Sequence, residues 1–509
     1  MKTITQKLAI CIVILFGFMV QTQAQTPDIE WQKFLGGNDF DIATSIQQTT
    51  DGGYIVAGFS KSNDGDVSEN HGDYDYWVVK LGSVGNIEWQ KSLGGSDSDY
   101  AYSIQQTTDE GYIVAGYSWS NDGDVSENHG DCDYWVVKLG SVGNIEWQKS
   151  LGGSNDDYAK SIQQTTDGGY IVAGFSKSND GDVSENHGLT DYWIMKLDDT
   201  GNIEWQKSLG GSNYDSANSI QQTTDGGYIV AGSSKSNDGD VSGNHGGYGY
   251  WIVKLDSIGN IEWQKSLGGS SHDYATSIQQ TTDNGYIVAG YSESNDGGVS
   301  GNHGSMDYWI VKLNSTGNIE WQKSLGGSDW DAAHSIQQTT DGGYIVAGES
   351  NSNDGDVSGN HGGSDYWVAK LNDTGNIEWQ KSLGGNGYNY AYSIQQTTDS
   401  SYIVAGYFEY ASGEMSSSDY WVVKLYPAQI SVDDITFENM EIYPNPTNGI
   451  LNFTEPVKNI TVYDISGKTV KTRSETSKII DLSGLAKGVY RVKGVTQSGK
   501  TFEGKIIKK

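Results

Sequence analysis

The 509-residue chain has two cysteines, Cys11 and Cys132. Cys11 lies in an N-terminal segment expected to be removed. The mature chain then keeps one thiol, forms no intrachain disulfide and must stand on packing alone. Basic residues are also few: 32 Lys+Arg against 65 Asp+Glu, a formal net charge of −33. Residues 436–509 carry 12 basic and 7 acidic side chains, which leaves 20 and 58 in residues 1–435. So acidic a body lacks the basic face that a phosphate backbone needs, which excludes nucleic acid as a partner. It suits a soluble extracellular surface or one that binds cations. Long apolar runs are missing too. Leu8–Val20 is 13 residues, too short for a bilayer span, and no later stretch reaches that length. No window carries helical periodicity. Neither a G-x-S-x-G elbow nor an H-E-x-x-H zinc motif occurs, and no isolated carboxylate pair stands out.

Residues 1–24 read as a signal peptide: Lys2 and Lys7, the apolar Leu8–Val20, then Thr22-Gln23-Ala24 with cleavage between Ala24 and Gln25. Cys11 is not a lipoprotein cysteine, because Ile10 stands where a small residue is needed and the apolar run continues past it.

What the chain has in abundance is repetition. The Trp of W-Q-K falls at Trp31, Trp89, Trp147, Trp205, Trp263, Trp321 and Trp379, always 58 residues apart. A second Trp, in (D/G)-Y-W, falls at Trp77, Trp135, Trp193, Trp251, Trp309, Trp367 and Trp421. Each unit holds four strand-like stretches, as in Ala101–Thr107, Tyr112–Gly116, Asp133–Leu139 and Ile145–Leu151, rich in Ile, Val, Tyr and Trp. T-D-G-G and S-V-G-N are the hairpin turns, and the 68 glycines fit a chain made of turns. The second and third strands are near-continuous apolar runs, as in a sheet covered on both faces. Four antiparallel strands per unit describe one propeller blade. The repeated Trp residues are expected between blades, where each burial contributes roughly 4–6 kcal/mol gross. Trp119 and Trp330 occur once each and are the tryptophans free for other work.

The expected fold is all-β: a seven-bladed β-propeller over residues 25–426, a linker over 427–440 and a small C-terminal β-sandwich over 441–509. The first W-Q-K strand precedes any complete unit, and the last Y-W strand is followed by none. Pairing the two closes the ring and removes two sheet edges. An open solenoid would leave both edges bare and would carry capping repeats.

From Glu441 the composition changes to short strands, more Lys and no Trp. Tyr443-Pro444-Asn445-Pro446 is followed by V-Y-D-I-S-G-K, with Asp464, Gly467 and Lys468, then by D-L-S-G-L-A-K-G-V-Y, with Gly488 and Tyr490, and the chain ends Lys508-Lys509. These motifs, in this order, resemble the type A C-terminal sorting domain of the type IX secretion system. The resemblance implies export across the inner membrane by the signal peptide and passage across the outer membrane directed by this domain. It also implies contact with the secretion machinery, and a cargo anchored on the cell surface or released. The ring, with D-x-A-x-S-I and D-G-G-Y-I-V-A-G, resembles propeller repeats of secreted bacterial proteins, a group with no single activity to transfer.

The loop S-N-D-G-D-V-S-x-N-H-G between the second and third strands appears six times, once altered. Its oxygens at alternate positions are Asp64, Asp66, Ser68 and Asn70, with Asp75 at position 12. The same pattern gives Asp122, Asp124 and Asp133; Asp180, Asp182 and Asp191; Asp238 and Asp240, with Gly249 at position 12; and Asp354, Asp356 and Asp365. Blade five has Gly298 for the second Asp, and blade seven has no such loop. Oxygens at positions 1, 3, 5 and 7 resemble the first half of a calcium loop, although the Glu at 12 and the flanking helices are missing. The competing reading is turn chemistry, with Asn and Asp bonding the local backbone around a Gly. Both stay open here, and Ca2+ is the one cofactor the sequence suggests. The loop histidines, one per blade, would share a metal only if the loops converged on the axis. A second repeated acid, Asp41, Asp99, Asp157, Asp215, Asp273 and Asp331, with Asn389 in blade seven, is expected to hold the L-G-G turn. Cys132 reads as a substitution in a variable loop.

Near-perfect symmetry favours a monomeric, non-enzymatic binding or adhesion ring for an extracellular glycan or protein, because copies of one loop supply multivalent contacts but not distinct catalytic roles. The alternatives are a propeller enzyme acting on extracellular polysaccharide and a structural spacer.

Overall fold

The computed structural model describes residues 26–410, 417–426, 442–464, 468–496 and 501–509. The expected signal peptide with its Ala24–Gln25 bond, the expected linker over 427–440 and Gly467 lie outside the described residues. The chain divides into two compact units, one the ring and one holding the C-terminal strands.

β1 (Ile29–Leu35) is set apart; β2 (Asp41–Gln48), β3 (Tyr54–Ser60), β4 (Asp75–Leu81) and β5 (Ile87–Leu93) form the first antiparallel sheet. β6–β25, from Asp99–Gln106 to Ile377–Leu383, repeat that set five times. β3 and β4, the apolar runs, are buried almost throughout; β2 mixes buried and partly exposed positions, and β5 is partly exposed until its last two residues. The T-D-G-G turn works as its residues require. Gly52 takes φ +84°, and Asp51 Oδ1 accepts the N–H of Gly53 at 2.9 Å.

The seventh sheet is the expected clasp. β26 (Asn389–Gln396), β27 (Tyr402–Tyr410) and β28 (Ser417–Leu425) are completed by β1, in register from Ile29↔Leu425 to Leu35↔Tyr420. The core lies between blades rather than within them. Ile55, Ala57, Tyr76 and Val78 of blade one pack with Val114 and Trp135 of blade two. The closing seam is built the same way, with Tyr420 and Val422 against Trp77 and Val79. A buried phenol ties each seam: Tyr76 Oη donates to Trp135 O at 2.9 Å, and Tyr420 Oη to Trp77 O at 2.8 Å.

One expectation needs correcting. Trp77 and its equivalents through Trp367 are fully buried. The W-Q-K tryptophans, on the outermost strand, are mostly half-buried. Trp31 lies edge-on to Tyr54 at 5.6 Å. It also covers Gly85 of the next blade, where a Cβ would come within 2.9 Å of the indole. The outer strand has one face in solvent, so its Trp seals the seam's rim rather than filling its centre.

In the C-terminal unit β29 (Ile442–Tyr443), β30 (Ile450–Asp464), β31 (Thr469–Arg473), β32 (Ser477–Asp481), β33 (Gly488–Thr496) and β34 (Thr501–Lys508) enclose a single core that includes Leu451, Phe453, Val462, Val492, Phe502 and Ile506. The six strands share one hydrogen-bonded sheet, because the 15-residue β30 pairs with β29, β31, β32 and β33 along its length, with register breaks at Asn452/Val457 and Lys458/Thr461.

Candidate functional site

The repeated loops meet the protein before they meet any ion. Asp64, Asp122, Asp180, Asp238 and Asp354 accept the backbone N–H of Asn38, Ser96, Ser154, Ser212 and Ser328 at 2.7–2.9 Å. Asp66, Asp124, Asp182, Asp240 and Asp356 accept, at 3.2–3.4 Å, from Gly36, Gly94, Gly152, Gly210 and Gly326. Ser68 Oγ accepts from Gln90 Nε2, and Asn70 Nδ2 donates to Ser60 O at 2.9 Å. Asp75, Asp133, Asp191 and Asp365 each accept both the backbone N–H and Nδ1 of the histidine four residues earlier, as Asp75 does from His71 at 2.9 and 2.7 Å. Among the described residues no three His, Cys, Asp or Glu are grouped to hold a metal ion. The geometry is that of a staple, joining each loop to the L-G-G crossover that enters the same blade. The staple predicts a melting temperature that does not change between chelator and millimolar calcium. A calcium-dependent rise, which a ligand of the folded state alone must produce, would return the loops to the metal reading.

The second repeated acid does hold the L-G-G turn. Asp41 Oδ2 accepts from Gly37 N at 2.8 Å and from Ser62 Oγ at 2.9 Å. Asp99, Asp157, Asp215 and Asp331 meet the position-12 Asp of the preceding blade across a glycine: a Cβ on Gly94 would stand 2.4 Å from Asp99 Oδ2 and 2.7 Å from Asp75 Oδ1. Burial, only partly offset by hydrogen bonds from serines and an amide, pushes Asp41, Asp157 and Asp331 up to about 6 and Asp99 up to about 7. These carboxyls keep their protons in the fold at pH values where the unfolded chain, near 3.9, has lost them. Their stabilisation is therefore complete below pH 4 and lost as pH rises through 6–7, on the order of 3 kcal/mol per group at 1.36 kcal/mol per unit. Asp51, Asp109 and Asp283 run the other way. Burial opposes their ionisation, but a threonine hydroxyl, a backbone amide and the buried Lys80, Lys138 and Lys312 outweigh it and hold them at about 2, so their contribution is lost only below about pH 4. The melting temperature is expected to peak near pH 4–5 and to fall steadily to pH 8; a flat or rising profile over that range would refute the buried-acid account.

Cys132 is buried, and burial followed by neighbouring carboxylates pushes its thiol up, away from reactivity.

The asymmetric residues lie elsewhere. β2 and its equivalents line the central channel, stapled side by side: Ile104 N donates to Ser45 Oγ at 3.2 Å and Gln106 N to Gln47 Oε1 at 2.6 Å. Against this fixed frame one wall position changes from blade to blade. It reads Thr44, Tyr102, Lys160 and Asn218, then Thr276, His334 and Tyr392. All seven line a cavity of about 390 Å³ at the Asp41 end of the channel, joined by Ile42, Phe59 and Tyr291. Thr44 Oγ1 donates to Ala101 O and Thr276 Oγ1 to Ala333 O, both at 2.9 Å; Asn218 Nδ2 donates to Ala275 O at 2.8 Å. Lys160 Nζ sits 3.5 Å over the Tyr102 ring. His334 Nε2 stands 2.5 Å from Glu349 Oε2, an ion-pair contact without hydrogen-bond alignment, and 5.0 Å separates its ring from that of Tyr392. The neighbouring variable position, Phe59 in blade one, is Tyr117 in blade two, edge-on to Trp119 at 5.2 Å and to Tyr158 at 4.5 Å. Trp119 is thus half-buried in an aromatic cluster, whereas Trp330 is 46% exposed. Sequence reasoning read what the repeats share. Subtracting the repeats from one another would have shown this ring of differences.

The sorting motif is held within its own unit. Asn445 Nδ2 donates to Lys505 O at 2.6 Å and its Oδ1 accepts from Ile507 N at 2.9 Å, pinning the Y-P-N-P turn to β34. Asp464 Oδ1 accepts from Lys468 N at 3.1 Å, and Tyr490 Oη donates to Ala486 O at 2.8 Å. Tyr443 is half exposed, and Gly488 opens β33.

Fold and motif together define a β-propeller followed by a secretion domain. Residues 441–509 match the family of secretion system C-terminal sorting domains, and the protein is exported by the type IX secretion system, to be secreted or held at the cell surface. Over 230 residues the chain is 23% identical to the regulatory protein FlaEY of Caulobacter vibrioides, covering 42% of this chain and 24% of that one. Among solved structures it is similar to PorZ, a surface component of the type IX secretion system of Porphyromonas gingivalis, with 12% identity, 94% of this chain and 60% of that chain covered and a TM-score of 0.41. It is also similar to Sqt1 of Chaetomium thermophilum, with 12% identity, 94% and 99% covered and a TM-score of 0.40. The chain thus spans about a quarter of the curated relative's length and under two thirds of PorZ.

Proposed function

We propose that the ring is a non-enzymatic binding module displayed outside the cell, and that it takes its ligand at the Asp41 end of the channel. One observation carries this reading. Seven near-identical blades all vary around the wall position of Thr44, and the seven side chains at that position line one cavity. A cavity of about 390 Å³ falls within the roughly 300–1,000 Å³ of small-ligand clefts. A spacer would have no use for a wall that varies over a fixed frame.

The test is a glycan and matrix-protein array probed with the full-length protein, with a Tyr102→Ala/Tyr392→Ala variant, and with a Thr108→Ala/Thr166→Ala control at the opposite end of the channel. Binding is expected for the wild type and the control, and a loss of about tenfold or more for the mouth variant. Equal binding by all three would place the ligand elsewhere. An enzymatic reading has one observation in its favour: an imidazole, His334, stands beside a carboxylate, Glu349, on the cavity wall. Turnover of an arrayed polysaccharide would decide for it.

A further inference from the structure

The mouth has a donor and acceptor pattern that narrows its ligand, and we infer that it takes a carboxylated sugar residue: a polyhydroxy ring bearing one carboxylate, held with that carboxylate on Lys160. This rests on the mouth being the binding site.

Lys160 is the one lysine at the variable wall position, and among the described residues it forms no ion pair or hydrogen bond. Its contacts are aromatic: the Tyr102 ring at 3.5 Å and the Tyr117 ring at 5.2 Å. The lysines of the third strands behave differently; Lys138, for example, is tied to Asp109 at 2.9 Å and to Glu146 at 3.0 Å. An ammonium held on a channel wall without a counter-charge calls for an anion from outside.

The other polar groups of the wall call for donors. Thr44 and Thr276 have given their hydroxyl protons to carbonyls, and Asn218 has turned its NH2 to Ala275 O, which fixes its Oδ1 as the free end. The two threonines offer lone pairs to the cavity, and Asn218 offers its Oδ1 beside one remaining N–H, so a ligand must meet them chiefly with O–H or N–H groups. Tyr291 and Tyr392 supply the flat faces on which the C–H side of a pyranose stacks, Tyr102 being covered by Lys160. Below the mouth, the Gln47 series commits its Oε1 atoms to the amides of the next blade. One anion, several hydroxyl donors and an apolar face in so small a volume is the chemistry of an acidic sugar. A peptide carboxylate also satisfies the lysine and can bring backbone N–H donors; the sugar is favoured because one compact residue carries the carboxylate, the hydroxyl donors and a C–H stacking face together. The acidic body of the ring repels such a ligand at long range, but that field is screened over about 8 Å at physiological salt, so the contact groups decide.

The experiment is calorimetric titration of the full-length protein with trigalacturonic acid, its methyl ester, sialyllactose and lactose. These arms separate a uronate from a sialic acid and each acid from its uncharged counterpart. At least one acid is expected to bind about tenfold or more tightly than its counterpart. Lys160→Gln is expected to remove that preference, and Lys160→Arg to keep it, with melting temperatures unchanged. An ester that binds as well as its acid, or an undiminished preference in Lys160→Gln, overturns the inference. So does saccharide-free binding of an arrayed protein through the mouth, or no binding of any of the four sugars. Those outcomes leave the mouth itself to be judged by the Tyr102→Ala/Tyr392→Ala variant, which separates failure of the ligand class from failure of the site.

Discussion

Deleting residues 25–37 is expected to make the ring aggregate, with a melting temperature lower by on the order of 10 °C or more. β1 is the outer strand of the seventh blade and has no substitute. Its loss strips the pairing from Tyr420 to Leu425 and exposes a full edge of unpaired N–H and C=O groups next to apolar side chains. It also removes Glu30 from Lys424 (3.1 Å), Gln32 from the Trp421 indole (3.2 Å) and the Phe34 ring stacked on Trp421 at 5.7 Å. Lys424 is almost fully buried, so taking away one of its two carboxylates leaves a poorly compensated charge. Size-exclusion chromatography with light scattering, alongside thermal melting, reads the result. A truncated protein that stays monomeric and melts at the wild-type temperature would show that the clasp contributes nothing.

Removing residues 441–509 is expected to have the larger effect on the cell. Export should fall to near zero, with folded ring held in the periplasm. The two units have separate cores, so the truncation deletes an address without touching a blade. Fractionation with antibody against the ring measures it. Truncated protein in the medium at normal yield would falsify the assignment of the sorting function to this domain. Asn445→Ala is a finer probe, since it frees the Y-P-N-P turn from β34 while leaving the rest of the unit's sequence intact.

Much of this architecture was legible because period 58 lets one unit be read seven times. Strand limits, hairpins and even the clasp follow from counting W-Q-K and Y-W stretches, since an unpaired strand at each end of the ring has one obvious partner. The C-terminal unit was less legible. Its strands are short, and nothing in the sequence says that Ile450–Asp464 runs on to serve every part of one sheet. The N-D-G-D loops were ambiguous for a chemical reason: the oxygens that ligate calcium are the ones that cap backbone amides, and only their partners decide. The apolar reading of the third strand passed over Lys80, whose buried ammonium lies among two carboxylates and a carbonyl. The mouth was hidden because Thr44, Tyr102 and Lys160 look like tolerated drift when repeats are aligned for likeness. They become a site only when the ring places them side by side.

The placement of one variable side chain per blade on an unvarying frame has a genetic consequence. Because every seam repeats one pattern with only apolar exchanges, such as Met195 or Ala369 at the position of Val79, recombination between repeats that exchanges whole 58-codon units alters few seam contacts. It does reorder, duplicate or replace the residues that face the axis. The gene is therefore a tray of interchangeable cassettes, and a lineage can rewrite what the ring recognises by shuffling copies it already owns, without passing through a misfolded intermediate.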